Sequence, residues 1–242
     1  VGVGPLLAWR RERRPVLKRL AVPALLGATA LVISLIVAPR IGLLPRAGLT
    51  VAAYLAAASI LPLVGRNPLR APLATWGMVV AHAGIAVGLA GMAANAAFTQ
   101  ETLAVARPGE RLAVGPWLVE FAGVVPTAGK NWTAVEGELR ATRGEGLVTL
   151  KPQTRYFTDP PTETNEAAIG TFWNGQLYTV VGRPDDAGGW QLRLWWKPFV
   201  TLIWLGGGLI GLGGALALAG HLWRLRRRRH GASAGWHRER YA

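Results

Sequence analysis

The sequence predicts a membrane protein with four transmembrane α-helices and an all-β domain, a small barrel or sandwich, inserted between the third and the fourth. Three observations carry this reading. About half of the residues are apolar (51%), and they gather into four long uncharged blocks instead of alternating through the chain. Many of the 27 Lys and Arg residues crowd the ends of those blocks. Between the third and fourth blocks, short β-rich runs alternate with turn signals over residues 98–197.

The uncharged blocks are residues 21–39, 47–65, 71–100 and 198–223. At about 1.5 Å of rise per residue, each is long enough to cross a hydrocarbon core of about 30 Å. Pro23 and Pro62 fall near span ends, where a missing N–H costs little. Arg10, Arg11, Arg13, Arg14, Lys18 and Arg19 precede the first block, Arg66 and Arg70 separate the second from the third, and Arg224, Arg226, Arg227, Arg228, Arg229, Arg238 and Arg240 follow the fourth. Only Arg40 and Arg46 occupy the opposite short loop. Fifteen basic residues against two predict both termini in the cytoplasm and residues 98–197 on the outer side. The division is then 1–97 for an N-terminal stretch and three helices, 98–197 for the β-rich domain, 198–223 for the fourth helix and 224–242 for a basic tail.

The outer segment reads as strands over 102–106, 117–124, 133–141, 147–151, 167–173, 176–181 and 191–195. Turn signals at Pro108-Gly109, Gly115-Pro116, Arg143-Gly144, Asn174-Gly175 and across 183–189 separate them. The formal charge of +14 does not make a nucleic-acid surface, because the outer segment holds ten basic and eleven acidic residues and is nearly neutral. The basic run after residue 223 reads as an anchor against anionic lipid. The chain has no cysteine, which excludes a thiol nucleophile, a thiol redox pair and a structural disulfide. No secretory signal is expected from the residues at its start. Val1 to Trp9 reads as the end of an earlier membrane helix, so the chain is expected to be part of a longer or split protein.

Several outer residues carry chemistry in principle. Trp117, Trp132, Trp173, Trp190, Trp195 and Trp196 form either an aromatic surface for a planar ligand or core packing and an interfacial belt. Glu163 and Glu166 lie near Asp159, as a pair for acid–base work or as a solvated face. The segment has no histidine, so it offers no imidazole ligand or base of its own.

The residue that stands out is His82, alone in the uncharged third block. An ionisable side chain at membrane depth points to a functional partner. Small residues at Gly77, Ala81, Gly84, Gly88, Gly91 and Asn95 lay a smooth stripe along that helix, a face another helix can approach closely. His82 sits about 100° round from it, on a face with Met78, Ile85, Ala86 and Leu89, an apolar lining suited to a porphyrin edge. Ligation of haem iron and an interhelical hydrogen bond both remain open for it on these grounds. His221 lies at the basic end of the fourth block, and His230 and His237 lie in the tail.

Trp76-Gly77-Met78 with His82 and Gly84, in a span leading to a β-rich segment, resembles the C-terminal part of the CcmF/NrfE-type cytochrome c haem lyases. Asn131-Trp132, Arg155-Tyr156-Phe157, residues 164–169, Lys197-Pro198-Phe199-Val200 and Ile203-Trp204-Leu205-Gly206 are similar to segments of that family at matching spacing, as is Val1 to Trp9, so the resemblance covers essentially the whole chain. It implies a role in attaching haem to apocytochrome c on the periplasmic side of a bacterial inner membrane. A CcmE-type chaperone would deliver the haem and a CcmH-type thiol partner would present the apoprotein. The resemblance also implies that His82 is one of two axial histidines of a resident b-type haem. The second histidine, the tryptophan-rich segment and the outer histidines for incoming haem would lie N-terminal to Val1, so no catalytic residue is expected in this chain. Trp132, Arg155, Tyr156 and Glu166 fall where the resemblance is densest and are expected to bind a partner. A membrane-anchored docking scaffold that binds no haem is the alternative, separated by haem content. A transporter would show broken helices with polar midplane residues.

Overall fold

The structure, a computed structural model, describes residues 13–65 and 67–238. Its described residues form two compact units, one helical, up to Ala93 and again from Leu202, and one β-rich, Ala94–Thr201. Val1 to Trp9 lies outside the described residues.

The uncharged blocks become α1 (Arg13–Val37), α2 (Leu43–Ile60), α3 (Leu73–Phe98) and α4 (Thr201–Arg238). All four are long and apolar enough to cross a membrane by length and composition. Pro23 falls near the start of the apolar span, Arg19–Val37, but the helical conformation of α1 reaches back into the basic segment, so Pro23 stands inside the helix. Pro62 behaves as a breaker: α2 stops at Ile60 and Leu61–Leu63 tightens into a 3-10 turn. Arg46 donates from Nη2 to the carbonyls of Ala38 and Pro39, both at 3.2 Å, and closes the α1–α2 turn.

Glycine decides how the helices meet. A Cβ added at Gly27 of α1 would lie 3.3 Å from the Thr50 carbonyl of α2, and one at Gly48 of α2 would lie 2.8 Å from Ala93 Cβ of α3. The small-residue stripe of α3 packs on a matching stripe of α4, with Gly77 and Ala81 against Gly213, Gly84 and Gly88 against Gly206, and Gly91 against Ile203. Residue numbers rise on one helix as they fall on the other, so the pair is antiparallel. A Cβ at Gly77 would come within 2.5 Å of the Ala217 nitrogen, and one at Gly206 within 2.5 Å of the Gly88 nitrogen. This backbone contact is what small residues permit between helices in lipid.

The second unit is a β-sandwich of two antiparallel sheets. One has the order β1-β10-β9-β8 and the other β2-β3-β4-β6-β7, with β5 also paired to β4. In chain order the strands are β1 (Gln100–Ala106), β2 (Arg111–Val114), β3 (Trp117–Ala128), β4 (Trp132–Arg143), β5 (Gly146–Leu150), β6 (Gln153–Thr158), β7 (Pro161–Glu166), β8 (Ala168–Phe172), β9 (Gly175–Pro184) and β10 (Trp190–Pro198). The core lies between the sheets, where Val119, Phe121, Leu139 and Ala141 meet Leu177, Val181, Leu192 and Leu194. Thr154 is buried there with its hydroxyl donating to the Val181 carbonyl at 2.7 Å, which ties β6 to β9.

Seven of the ten strands coincide with runs read from the sequence; β2, β6 and β7 do not. Strand β7, Pro-Thr-Glu-Thr-Asn-Glu, is an edge strand with no apolar alternation, so its only strand signal is pairing with β6. In β6 the inward position is the polar Thr154, which hides the period of two. The chain leaves the sandwich through Phe199, at φ 60°, whose N–H donates to the Asn174 carbonyl at 2.8 Å.

Candidate functional site

His82 sits in the first half of α3, half-buried, with Nδ1 2.8 Å from the carbonyl of Met78 one turn back. A carbonyl only accepts, so Nδ1 carries a proton, and the neutral tautomer with that proton presents Nε2 as a lone pair. Ligating histidines are commonly oriented in this way, with the second ring nitrogen donating to a backbone carbonyl. The bond lies within α3, so among the described residues no other helix supplies the hydrogen-bond partner that a packing histidine would need at Nε2. On the same face Met78, Ile85 and Leu89 are half-buried. Ala86, expected in that lining, is 2% exposed and covered by packing. His221, on α4, is exposed. The described residues contain no group of three or more His, Cys, Asp or Glu side chains able to hold a metal ion.

In the sandwich, three of the four expected partner-binding residues share one face. Trp132 lies across from Phe157, Ala134 from Arg155 and Gln153 from Glu166 in register, so Trp132, Arg155 and Glu166 point out of the β4-β6-β7 sheet together. The Arg155 guanidinium stacks 4.5 Å from the centre of the Trp132 ring. Tyr156 is the exception: by alternation it points to the other face, where its register partner Glu163 pairs with Arg183 at 3.2 Å.

Sequence reading missed what links that face. Arg155 Nε donates to Gln153 Oε1 at 2.8 Å, and Gln153 Nε2 donates to Glu136 Oε2 at 2.6 Å. Lys151 Nζ lies 3.2 Å from the other Glu136 oxygen. The Gln153 amide, then the Lys151 ammonium, hold the Glu136 carboxyl below its ordinary pKa against the opposing effect of burial. Recognising β6 would have revealed the chain, since pairing it with β4 sets Gln153 opposite Glu136.

The tryptophans do not form one surface. Trp117 and Trp196 are buried beside Phe172, with Trp117 and Phe172 ring centres 4.5 Å apart. Trp195 lies beneath Arg193 at 4.5 Å, while Trp173 is 87% exposed in the β8–β9 turn. The acidic residues separate as well: Glu163 pairs with Arg183, and Glu166 accepts from Thr164 Oγ1 at 3.2 Å on the opposite face. They make no carboxylate pair.

Residues 97–198 match the CcmF C-terminal beta-sandwich family. The chain is 33% identical over 231 residues to the cytochrome c-type biogenesis protein ccl1 of Rhodobacter capsulatus, covering 92% of this chain and 35% of that protein. It is 30% identical over 225 residues to the cytochrome c-type biogenesis protein CcmF of Escherichia coli, covering 90% and 34%. The solved structure of cytochrome c heme lyase CcmF has the same fold, with a TM-score of 0.73 and 28% identity over 90% of this chain and 37% of that one. The chain spans about a third of the length of these relatives. Given the glycine-packed helices, the sandwich and these similarities, the chain belongs to the CcmF family of cytochrome c-type biogenesis proteins and corresponds to its C-terminal part.

Proposed function

We propose that this chain serves the attachment of haem to apocytochrome c as the C-terminal part of a membrane haem lyase, with His82 as one axial ligand of a resident b-type haem. The observation that carries the proposal is the Nδ1 to Met78 carbonyl bond of 2.8 Å, which in the neutral tautomer points Nε2 and its lone pair out on a half-buried, apolar helix face. The residues suit a porphyrin: an imidazole for the iron, flanked by Met78, Ile85 and Leu89, with no carboxylate in the described part of the helical unit. The second axial imidazole comes from the portion of the lyase outside this chain. A haem held by two imidazoles supplies electron transfer, suited to reducing the iron of an incoming haem. Within this chain, His82 holds the metal and the Met78 carbonyl fixes the ring. The outer face with Trp132, Arg155 and Glu166 docks the CcmE-type chaperone or the CcmH-type thiol partner, and Tyr156 contributes from the other face. The sandwich works on the periplasmic side, with both termini in the cytoplasm.

His82→Ala in the complete lyase complex is expected to abolish or shift the Soret and α bands and to lower haem content. An unchanged spectrum with unchanged haem content would reduce His82 to packing and favour the docking scaffold.

A further inference from the structure

The described part of the helical unit contains no Asp or Glu, so its arginines find no carboxylate counter-ion within it. Two of them, Arg70 and Arg224, line one cavity where the start of α3 meets α4. Leu73, Ala74, Gly220 and Trp223 complete its walls. The cavity exists because α4 comes close there: a Cβ at Gly220 would lie 2.9 Å from the Ala74 nitrogen. Arg224 Nε donates to the Gly220 carbonyl at 3.3 Å, which directs the guanidinium along the seam. In the first turn of α3, the Thr75 and Trp76 N–H groups bond the Pro72 carbonyl, while those of Leu73 and Ala74 precede the first intrahelical acceptor. Two guanidiniums, backbone donors and an apolar indole wall together recognise a phosphate carried on an apolar body.

We infer that this cavity binds the phosphodiester headgroup of an anionic phospholipid, which seats between Arg70 and Arg224 and closes the end of the α3–α4 seam. The inference rests on the reading of α3 and α4 as membrane spans. Free phosphate shares the headgroup chemistry, but it would leave the Leu73 and Trp223 walls unused.

The full chain, purified in neutral detergent, would be given limiting phosphatidylglycerol, phosphatidylcholine or sodium phosphate and followed by native mass spectrometry. Selective retention of phosphatidylglycerol is expected, falling about fivefold for each of Arg70→Gln and Arg224→Gln and remaining unchanged in Arg40→Gln. A photoactivatable phosphatidylglycerol should label peptides covering residues 70–76 and 219–226. Equal retention of phosphatidylcholine, an unaffected double variant, or labelling confined to the basic tail would overturn the site, and displacement of the lipid by phosphate would reassign it to the free anion. Carbonate extraction of membranes carrying the chain separates the two readings. A chain that remains in the membrane yet shows no selective lipid refutes this site alone, whereas release by carbonate refutes the spans as well.

Discussion

The outer face of the β4-β6-β7 sheet is a connected set of side chains, and each predicts something measurable. Arg155 is held between the Trp132 ring and Gln153, so its charge is presented in a fixed place rather than on a mobile stem. Arg155→Glu or Glu166→Lys is expected to weaken pull-down of the haem chaperone or the thiol partner at least tenfold, about 1.4 kcal/mol or more. The spectrum of the proposed resident haem should not change. Wild-type pull-down by both variants would return these residues to a structural role. Glu136 has its folded pKa lowered by Gln153 and Lys151. Its contribution to stability is therefore present above its unfolded pKa, near 4.5, and is lost as pH falls through the lower folded value. Thermal unfolding of the full chain in detergent, scanned from about pH 6 to about pH 3, should show a steeper fall for wild type than for Glu136→Gln. Trp132, Arg155 and Glu166 were legible as residues, but their common face and the separation of Tyr156 were not, because a period of two has no phase until β6 is recognised as a strand.

At the scale of elements, the α3–α4 pair turns on which glycines touch. Gly206 faces Gly88, whereas a Cβ at Gly207 would meet nothing within 4 Å. Gly206→Leu is accordingly expected to cost about 1–3 kcal/mol by overpacking, while Gly207→Leu leaves the melting temperature near wild type. Equal melting temperatures for the two variants would refute the seam. In the sandwich, Leu139 is fully buried between the sheets. Leu139→Ala should cost about 2–5 kcal/mol, seen as a lowered unfolding midpoint of the β-domain signal. The stripe on α3 was plain in the sequence. Its match on α4 was hidden because that helix has glycines on several faces, including Gly207, Gly208, Gly211 and Gly214, where an added Cβ would meet nothing within 4 Å among the described residues.

At the scale of the whole molecule, the basic residues beside the spans predict which side of the membrane each unit faces. The absence of cysteine makes Thr133→Cys and Ser233→Cys clean probes for a membrane-impermeant maleimide. Labelling at 133 and not at 233 in cells with a permeabilised outer membrane is expected, and the reverse pattern would invert the topology. The chain covers about a third of its relatives, and His221, the other described histidine, is exposed on α4. Expressed alone, the chain is expected to assemble no cytochrome c and to show no bis-histidine haem spectrum. Both should return when the rest of the lyase is supplied as a second polypeptide. A strong bis-histidine spectrum from the lone chain would refute the divided site.

Hydrophobic blocks and turn chemistry alone determined the number of apolar helices, the β character of residues 98–197 and the isolation of His82 in an uncharged span, but not where each helix starts and stops. These are properties of one segment read against its own period. Tertiary structure decided whatever needs two segments at once: that α4 covers the glycine stripe, that Trp117 and Trp196 belong to the core while Trp132 lies under Arg155, that Gln153 meets Glu136, and that a polar β6 and β7 complete a sheet. The direction of the His82 ring is a local matter within α3 by contrast, since the Met78 carbonyl one turn back takes the Nδ1–H. Pairing, register and hydrogen-bond direction depend on a partner, and periodicity within one segment does not name it.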